Sequence, residues 1–280
     1  MSILVIGRSG QLAQELQALR PNDTTTWGRN EVNLLDEKDL LKKVQALKPH
    51  FIINASAYTA VDKAESEVKD AFRINCDAVT NLGTIAQYLH IPLIHISTDF
   101  VFDGNSNDPY KETDTTNPIG AYGKSKREGE LALLEVNPNA IIIRTSWLYG
   151  NFGQNFLKTM VRLGQERTEI GVVHDQSGSP TSTTDLANAI LHTIEFERWI
   201  PGIYHYSNQG IATWFEFAKE IFDQLGFSIQ INPITTEEYP TPAVRPKYSK
   251  LDSTKWEQTF GRPIPHWKAS LMEVLKNREL

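Results

Sequence analysis

Cysteine is nearly absent from this chain of 280 residues, in which Cys76 is the only one. A single cysteine excludes an internal disulfide and fits a reducing compartment. Long apolar runs are also missing, since no stretch approaches the roughly 20 residues that a membrane-spanning helix needs. The first residues, MSILVIGRSG, do not have the pattern of a secretory signal peptide. We therefore expect a cytoplasmic protein that does not span a membrane.

An excess of positive charge is absent as well. The chain has 28 Lys and Arg residues against 34 Asp and Glu residues, which gives a formal net charge of -6. Proteins that bind nucleic acid or anionic membranes usually have the opposite balance, so we expect neither partner. The seven histidines show no metal-ligand spacing, and the residues alone therefore predict no metal site.

Short apolar runs alternate with helical patterns through the first half of the chain. The runs are continuously apolar, as in strands buried on both faces, and the segments between them have the 3.6-residue periodicity of helices. This alternation predicts an α/β fold, a doubly wound Rossmann sheet of parallel strands with helices on both faces. The predicted strands are 3–7, 24–27, 51–56, 92–98 and 140–146, and the predicted helices are 11–19, 37–47, 68–89 and 122–135.

The pattern changes after residue 150, where turn-rich segments appear. We expect a cofactor-binding Rossmann domain at 1–150 and a smaller C-terminal substrate-binding lobe that takes up most of 151–280. Strand-like runs near 168–173 and 202–207 are expected to rejoin the sheet of the first domain.

A glycine turn joins the first predicted strand to the first predicted helix. Its sequence is IGRSGQLA, with Gly7 and Gly10 in the spacing G-x-x-G-x-x-A. Glycine allows a tight turn and a close approach to a pyrophosphate, and the helix N-terminus that follows offers free N–H groups. An ordinary strand–helix turn is the alternative, but the strand–turn–helix context favours dinucleotide binding.

The residues at the end of the second strand indicate whether NAD or NADP binds. NAD sites usually have an acidic residue there for the ribose 2′-hydroxyl, whereas this sequence has Arg29 at that place and Arg8 in the glycine turn. Guanidinium groups suit a 2′-phosphate, so we expect NADPH, with NADH as the alternative cofactor. Both arginines would otherwise be ordinary surface residues. Asn33 and Leu34 follow the strand and are expected near the adenine.

Tyr122 and Lys126 open a predicted helix four residues apart, in AYGKSK. On a helix this spacing places them on one face, one turn apart. Hydride addition to a carbonyl leaves an alkoxide that needs a proton, and a neighbouring ammonium lowers the pKa of a phenol from about 10. We expect Tyr122 to be the general acid and Lys126 to tune it and hold the ribose; a solvated surface pair is the alternative. Thr98, at the end of the fourth strand, either hydrogen-bonds the carbonyl oxygen or satisfies only the backbone.

Longer stretches resemble a known enzyme family. The glycine turn and the pairing STD…YGKSK are similar to the extended short-chain dehydrogenase/reductase family. NASAYTAVDKAESE (54–67), STDFVFDG (97–104), RTSWLYG (144–150) and YPTPAVRPKYSKLD (239–252) resemble the dTDP-4-dehydrorhamnose reductase family. The resemblance implies NAD(P)H-dependent reduction of the C4 keto group of dTDP-4-dehydro-L-rhamnose to dTDP-L-rhamnose, for cell-envelope polysaccharide. It also implies a homodimer.

The resemblance and the residue patterns together give the expected contacts. Gly10, Gln11 and Leu12 would hold the pyrophosphate, Asp99 would lie beside the sugar and Trp147 would pack against it. Arg245, in a polar loop bounded by prolines, is a candidate for the diphosphate, with a surface arginine as the alternative. The residues expected around the cofactor are Gly7, Arg8, Gly10, Gln11, Leu12, Arg29, Asn33, Leu34, Ala57, Tyr58, Thr59, Tyr122 and Lys126, and those around the substrate are Thr98, Asp99, Tyr122, Trp147 and Arg245.

Some features depart from the family pattern or leave alternatives open. Ala13 replaces the third glycine of the extended-family turn, and Ser56 stands where this family often has alanine. Some members bind magnesium through interface glutamates; Glu15 is a candidate, but no ligand set can be assembled, so magnesium stays open. Two other functions remain: a nucleotide-sugar epimerase or dehydratase of the extended family, or a non-catalytic NADP-binding regulatory subunit. Retention of Thr98, Tyr122 and Lys126 together argues against the latter.

Overall fold

The computed structural model of the chain describes residues 1–277. Its strands are β1 (Ile3–Ile6), β2 (Thr24–Trp27), β3 (Phe51–Asn54), β4 (Leu93–Thr98), β5 (Ile141–Thr145), β6 (Leu148–Tyr149), β7 (Glu169–Val173), β8 (Ser177–Gly178), β9 (Thr181–Ser182), β10 (Gly202–His205), β11 (Ala212–Thr213) and β12 (Gln230–Ile234). Its α-helices are α1 (Gln11–Leu19), α2 (Glu37–Leu47), α3 (Val61–Ala64), α4 (Val68–Phe72), α5 (Ala78–Tyr88), α6 (Ala121–Val136), α7 (Phe156–Glu166), α8 (Thr183–Glu195), α9 (Trp214–Leu225), α10 (Thr254–Phe260) and α11 (Trp267–Lys276). None of the helices within 1–277 is long and apolar enough to cross a membrane.

The main sheet has six strands in the order β10-β5-β4-β3-β1-β2. Every pairing in it is parallel. The chain builds outward from β1 to β2 and then crosses back to β3 on the other side of β1. In such sheets the crevice outside the carboxyl ends of the strands at this reversal is where ligands bind. The predicted Rossmann architecture is confirmed.

Helices cover both faces of this sheet, as the alternation of side chains along β1 requires. Ile3 and Val5 pack in one core cluster with residues of α1, α8 and α10. Leu4 and Ile6 point the other way and pack with residues of α2, α5 and α6. Because successive side chains of a strand face opposite sides, a fully apolar strand needs two covering layers.

The prediction that the strand near 168–173 rejoins the main sheet is wrong. That segment is β7, Glu169–Val173, and it pairs in parallel with β12, Gln230–Ile234, in a separate two-stranded sheet. The edge of the main sheet beside β5 is taken by β10, Gly202–His205. The side chains of Ile170 and Val172 instead pack into a second-lobe cluster with α7, α9 and α11.

The helix predicted at 68–89 is interrupted. A π-helical turn, Arg73–Asp77, lies between α4 and α5. There the carbonyl oxygen of Asn75 approaches α6 so closely that any side chain at Gly129 would overlap it. The contact holds α6, which carries Tyr122 and Lys126, tightly against this helix.

Candidate active site

The predicted site residues that follow strands of the main sheet lie along one edge of it. Gly7 follows β1, Ala57 lies beyond β3, Thr98 ends β4 and Trp147 follows β5. Because the strands are parallel, all of these positions lie at the carboxyl edge. The sheet topology therefore brings together residues that are far apart in sequence.

The glycine turn has the geometry of an anion-binding loop. Gly7 adopts a φ of 111°, and a Cβ there would lie 2.9 Å from the backbone of Ala55. Gly10 is the N-cap of α1 and offers no side-chain cap. The first N–H groups of α1, at Gln11 and Leu12, are therefore available to a ligand anion. This arrangement fits the pyrophosphate of a dinucleotide.

The two arginines expected at the adenosine end have different surroundings. Arg8 donates a hydrogen bond of 2.6 Å to Oε1 of Glu31, whereas Arg29 is exposed and forms no hydrogen bond or ion pair with any residue in 1–277. Oε2 of Glu31 accepts from the Gly28 N–H at 2.7 Å. That backbone hydrogen bond is the main cause that lowers the pKa of Glu31. Glu31 is therefore an acidic residue beyond the end of β2 that the sequence analysis, which placed Arg29 there, did not identify.

Asn33 and Leu34, expected near the adenine, are held by local contacts. The side chain of Asn33 accepts a hydrogen bond of 3.1 Å from the Leu35 N–H. The carbonyl of Leu34 accepts one of 3.0 Å from the side chain of Asn81 on α5. These contacts fix the backbone at this corner.

Tyr122 lies in the first turn of α6 and keeps partial contact with solvent. Its ring meets the ring of Phe100 edge-on, with centroids 5.5 Å apart. Burial raises the pKa of the Tyr122 hydroxyl to about 12, a hydrogen bond with Thr98 lowers it, and the Asp99 carboxylate raises it. The lowering that we expected from Lys126 is not among these effects. Tyr122 is therefore protonated at neutral pH, as a general acid must be.

Lys126 points beneath Tyr122 toward the sheet. Its Nζ donates a hydrogen bond of 2.7 Å to the Ile96 carbonyl and lies 3.3 Å from Nε2 of His95. Burial lowers the pKa of Lys126 to about 8, and the Glu130 carboxylate opposes this. His95 is itself buried, and its Nδ1 lies 3.1 Å from Nδ2 of Asn54. The ammonium is held by β4 and not by the phenol, so the expected tuning of Tyr122 by Lys126 stays a prediction.

Asp99 carries an incompletely satisfied buried carboxylate beside Thr98. The Thr98 hydroxyl donates to Oδ1 of Asp99 at 3.0 Å and accepts from the Phe100 N–H at 3.2 Å. Oδ2 of Asp99 is buried without a hydrogen-bond partner among residues 1–277. Burial raises the pKa of Asp99 to about 6. Unpaired buried polar atoms are costly and call for an explanation, and strongly shifted pKa values cluster at functional sites.

A buried ion pair anchors α6 one turn beyond Lys126. Arg144 of β5 donates from Nε to Oε1 of Glu130 at 2.8 Å and from Nη2 to Oε2 at 2.7 Å. The two side chains are at most 1% exposed. A bidentate pair fixes both distance and orientation. Tyr122, Lys126 and Glu130 thus form one helix stripe whose far end is locked to the sheet.

Asn75, in the π-helical turn, was not identified from the sequence. Its Oδ1 accepts from the Tyr58 N–H at 2.8 Å, and its Nδ2 donates to the Ser125 hydroxyl at 2.9 Å. Asn75 thereby ties α6 to the segment of Ala57, Tyr58 and Thr59 that we expect to line the cofactor. π-Helical turns often mark functional sites, but ordinary helical periodicity does not reveal them.

Trp147 has a strained backbone and a stacked partner. Its φ is 47°, a left-handed conformation that bulky residues rarely adopt. Its ring lies flat on that of Trp214, with centroids 3.5 Å apart and planes 3° apart. A Cβ at Gly178 would come within 2.7 Å of the Trp147 ring, so only glycine fits there. Trp214, the first residue of α9, was not identified as a site residue from the sequence.

A cavity of about 520 Å³ opens in the second lobe. Its walls include the apolar side chains of Phe156, Ile170 and Trp214 together with two arginines, Arg167 and Arg245. Apolar walls with a few charged groups are typical of small-molecule sites.

Arg245 connects this cavity to the first domain. Its Nη1 and Nη2 donate to the two carboxylate oxygens of Asp62 on α3, at 3.0 and 2.8 Å. The hydrogen bond from Arg245 is the main cause that lowers the pKa of Asp62. The diphosphate role expected for Arg245 would require it to share or exchange this carboxylate.

Glu15, the magnesium candidate, has neutral partners. Its carboxylate accepts hydrogen bonds from Thr184 at 3.0 Å and Thr183 at 3.4 Å, at the start of α8. Burial raises the pKa of Glu15. Within residues 1–277, no three His, Cys, Asp or Glu side chains form a group that could hold a metal ion.

The whole chain is similar to known reductases. The family model described as the RmlD substrate binding domain matches residues 1–280. The dTDP-4-dehydrorhamnose reductase of Sinorhizobium fredii is 44% identical, over 98% of this chain and 97% of its own length. The solved structure of a dTDP-4-dehydrorhamnose reductase from Clostridium acetobutylicum is 41% identical, covers 99% of both chains and has a TM-score of 0.94. That of Bacillus anthracis, solved in complex with NADP, is 38% identical, covers 99% of both chains and has a TM-score of 0.95.

Proposed function

This chain belongs to the RmlD substrate-binding-domain family, and we propose that it reduces the C4 keto group of dTDP-4-dehydro-L-rhamnose to dTDP-L-rhamnose. Full-length similarity to dTDP-4-dehydrorhamnose reductases supports the reaction, and the relative solved with NADP supports NADPH as the cofactor. The observation that carries the proposal is the convergence of Thr98, Tyr122 and Lys126 beside the glycine turn at the carboxyl edge of the sheet.

The first domain would bind the dinucleotide along this edge. NADPH, when bound, supplies the hydride from nicotinamide C4. The free N–H groups of Gln11 and Leu12 suit the pyrophosphate, and Arg8 suits the adenosine end. Lys126 would hold the nicotinamide ribose, since its amine lies against Ile96, two residues before the carboxyl end of β4.

Tyr122 would give its proton to the new oxygen at C4. Its pKa of about 12 keeps the proton on the phenol until the reaction creates a stronger base, the alkoxide. The Thr98 hydroxyl, which donates to Oδ1 of Asp99 in this structure, would turn to donate to the same oxygen as charge develops. A Lys126 ammonium nearby would stabilise the phenolate that remains.

The second lobe would bind the nucleotide sugar. We place the nucleotide in the 520 Å³ cavity, with Arg245 on the diphosphate. The Trp147 ring would pack against the sugar, and the unpaired Oδ2 of Asp99 would accept a hydrogen bond from one of its hydroxyls. Asp99 and Trp147 belong to the segment 1–150, so both parts of the chain would contribute to the sugar site.

The test is NADPH oxidation, followed by nicotinamide absorbance, with dTDP-4-dehydro-L-rhamnose generated by its upstream enzymes. We expect one NADPH consumed for each dTDP-L-rhamnose formed. An epimerase or dehydratase would convert a sugar nucleotide without net oxidation, because such enzymes return the hydride. A regulatory subunit would bind NADPH and form no product. Either result would replace the reductase assignment.

We also propose a cytoplasmic homodimer, as the family resemblance implies. Light scattering of the purified protein should give twice the chain mass of 31.7 kDa. Cell fractionation should recover the protein with the cytoplasmic fraction. A monomeric mass at micromolar concentration would contradict the dimer.

A further inference from the structure

His95, on β4, is a buried titratable group in contact with Lys126. Its Nε2 lies 3.3 Å from Nζ of Lys126, and its Nδ1 lies 3.1 Å from Nδ2 of Asn54 at the end of β3. All three side chains are at most 1% exposed, so water does not compete for these contacts. A neutral imidazole has one N–H and one lone pair, and the place of that single proton decides what His95 offers to Lys126.

The partners of Asn54 determine where the proton of His95 lies. Oδ1 of Asn54 accepts hydrogen bonds from the Ser56 N–H at 3.1 Å and from the Ser56 hydroxyl at 2.6 Å. A backbone N–H can only donate, so the amide of Asn54 turns its Nδ2, which also can only donate, toward His95. Nδ1 of His95 must therefore accept, which leaves the proton on Nε2. Burial, assisted by the charge of Lys126, holds the pKa of His95 well below its usual value and keeps the ring neutral.

The ring thus presents an N–H to the nitrogen of Lys126. Such an N–H forms a hydrogen bond with a neutral amine but not with an ammonium, which has no lone pair. The ammonium form has the Ile96 carbonyl as its acceptor, at 2.7 Å. Burial lowers the pKa of Lys126 to about 8, and the N–H of His95 acts in the same direction.

The other groups around Lys126 belong to α6 and β5. Glu130, one turn further along α6, favours the ammonium, but Arg144 of β5 holds that carboxylate in a buried ion pair. Tyr122, one turn earlier, is protonated, and the Asp99 carboxylate acts on Tyr122. Of residues 1–277, His95 is the one titratable side chain of the sheet within hydrogen-bonding distance of Lys126.

We propose that His95 is a positioning residue of the reduction: oriented by Asn54, it directs an N–H at Lys126 and thereby sets the pH above which the lysine loses its charge. The Lys126 ammonium stabilises the Tyr122 phenolate, so turnover falls as that charge is lost. His95 touches neither reacting group and acts through Lys126. The inference rests on the proposed function for its effect on turnover, whereas the position of the ring proton is a property of the free protein.

The ring proton can be observed directly by NMR. Protein labelled with ¹⁵N in its seven histidines gives ring nitrogen signals that distinguish an N–H from a lone pair, and His95→Gln identifies the signals of His95. We expect Nε2 to carry the proton and Nδ1 to carry the lone pair, with no titration between about pH 5 and 8. A proton on Nδ1, or a ring that titrates in this range, would overturn the inference even if every variant failed to fold.

The effect on turnover is measured as kcat against pH with both substrates saturating. In the wild type, kcat should fall as pH rises through about 8, because the ammonium form of Lys126 is lost. Asn54→Asp offers an oxygen to Nδ1–H of His95, so the ring proton moves to Nδ1 and Nε2 accepts from the ammonium. The fall in kcat should then move to higher pH by about one unit. Asn107→Asp, at an exposed loop position, makes the same change in net charge and should not move it.

A second background separates the tautomer from the added charge. In a His95→Gln protein, Asn54→Asp acts on Lys126 only through its carboxylate, so the pH shift should be clearly smaller than in the presence of the imidazole. Equal shifts in the two backgrounds, or a lower kcat without any shift, would mean that His95 has only a structural role. A wild-type protein that oxidises no NADPH would refute the proposed function, and the NMR result would still decide where the proton of His95 lies.

Discussion

The face of α6 that carries Tyr122 and the loop 235–246 that carries Arg245 are held in different ways. On α6, Lys126 and Glu130 are at most 1% exposed and are bonded to the strands beneath them. In the loop, Val244 is 67% exposed, and the link from Arg245 to the first domain is an ion pair with Asp62 that solvent reaches.

This difference suggests that rigidly held residues of α6 perform the chemistry and that a less rigid loop binds the substrate. Groups that stabilise a transition state act best when they are already in place, which a buried and fully bonded helix face provides. A segment that must admit and release a large nucleotide sugar belongs among the less stable parts of a fold. Changes on α6 should therefore affect turnover and stability, and changes in the loop should affect substrate affinity.

The largest effect is expected at Tyr122. Tyr122→Phe removes the proton donor while keeping the ring against Phe100, so kcat should fall by roughly 100- to 10,000-fold. The dissociation constant of NADPH should stay nearly the same. Tyr88→Phe, at a ring that is 67% exposed on α5, is the matched control and should leave both unchanged. A Tyr122→Phe enzyme that turns over at the wild-type rate would show that another group is the acid.

The next effect is on stability and concerns the anchor of α6. Glu130→Gln leaves the buried Arg144 guanidinium without its counter-charge, which should lower the free energy of unfolding by roughly 3–5 kcal/mol. Urea denaturation measures this directly. Glu128→Gln, on the exposed side of the same helix, should stay within about 0.5 kcal/mol. Equal losses in the two variants would mean that the ion pair does not anchor the helix.

Asp99 should make the free energy of unfolding depend on pH by about 3 kcal/mol, because burial raises its pKa from 3.8 to about 6. The folded state binds the Asp99 proton more tightly than the unfolded state, so this contribution to stability is lost as pH rises from about 4 to 6. Asp99→Asn removes the contribution. The gain in unfolding free energy of the variant over wild type should grow across that window and then level off. A gain independent of pH would contradict the raised pKa.

The smallest effect is expected for Arg245, and it should appear in KM for the nucleotide sugar and not in kcat or stability. Arg245→Gln would remove the proposed charged hydrogen bonds to the diphosphate, so KM for the nucleotide sugar should rise about 10- to 100-fold with little change in kcat. Unfolding should change by less than about 1 kcal/mol, because the pair with Asp62 is partly exposed. Asp62→Asn breaks the same pair but should not raise KM. If kcat and kcat/KM fall by the same factor, the loop contacts the substrate mainly in the transition state. That result would contradict the division between α6 and the loop.

The sequence predicted the first half of the fold well because its signals are local. Continuous apolar runs gave β1, β3, β4 and β5, and helical periodicity gave α1, α2 and α6 to within a residue or two. The partner of β7 could not be predicted in this way, because periodicity shows that a strand exists and not which edge it joins. The π-helical turn at Arg73–Asp77 was hidden for a related reason, since one added residue barely changes the helical pattern.

At the site, the sequence was a good guide to which residues lie close together. It was a poorer guide to the contacts that they make. Sheet topology alone places Thr98 and Tyr122 at the same edge, whereas the turn of Lys126 toward His95 depends on side-chain packing. Glu31 was overlooked because it stands four residues after the last residue of β2 and reaches back to Gly28 and Arg8. The roles given to these residues stay predictions that the variants above can test.

Deuterium transfer tests the central claim most directly. The protein would be given dTDP-4-dehydro-L-rhamnose and NADPH with deuterium at both positions of nicotinamide C4, and the sugar nucleotide would be analysed by NMR and mass spectrometry. The account predicts dTDP-L-rhamnose with deuterium at sugar C4 and an equal amount of NADP⁺. A product without deuterium, or one formed without net NADP⁺, would contradict direct reduction of the sugar by this site.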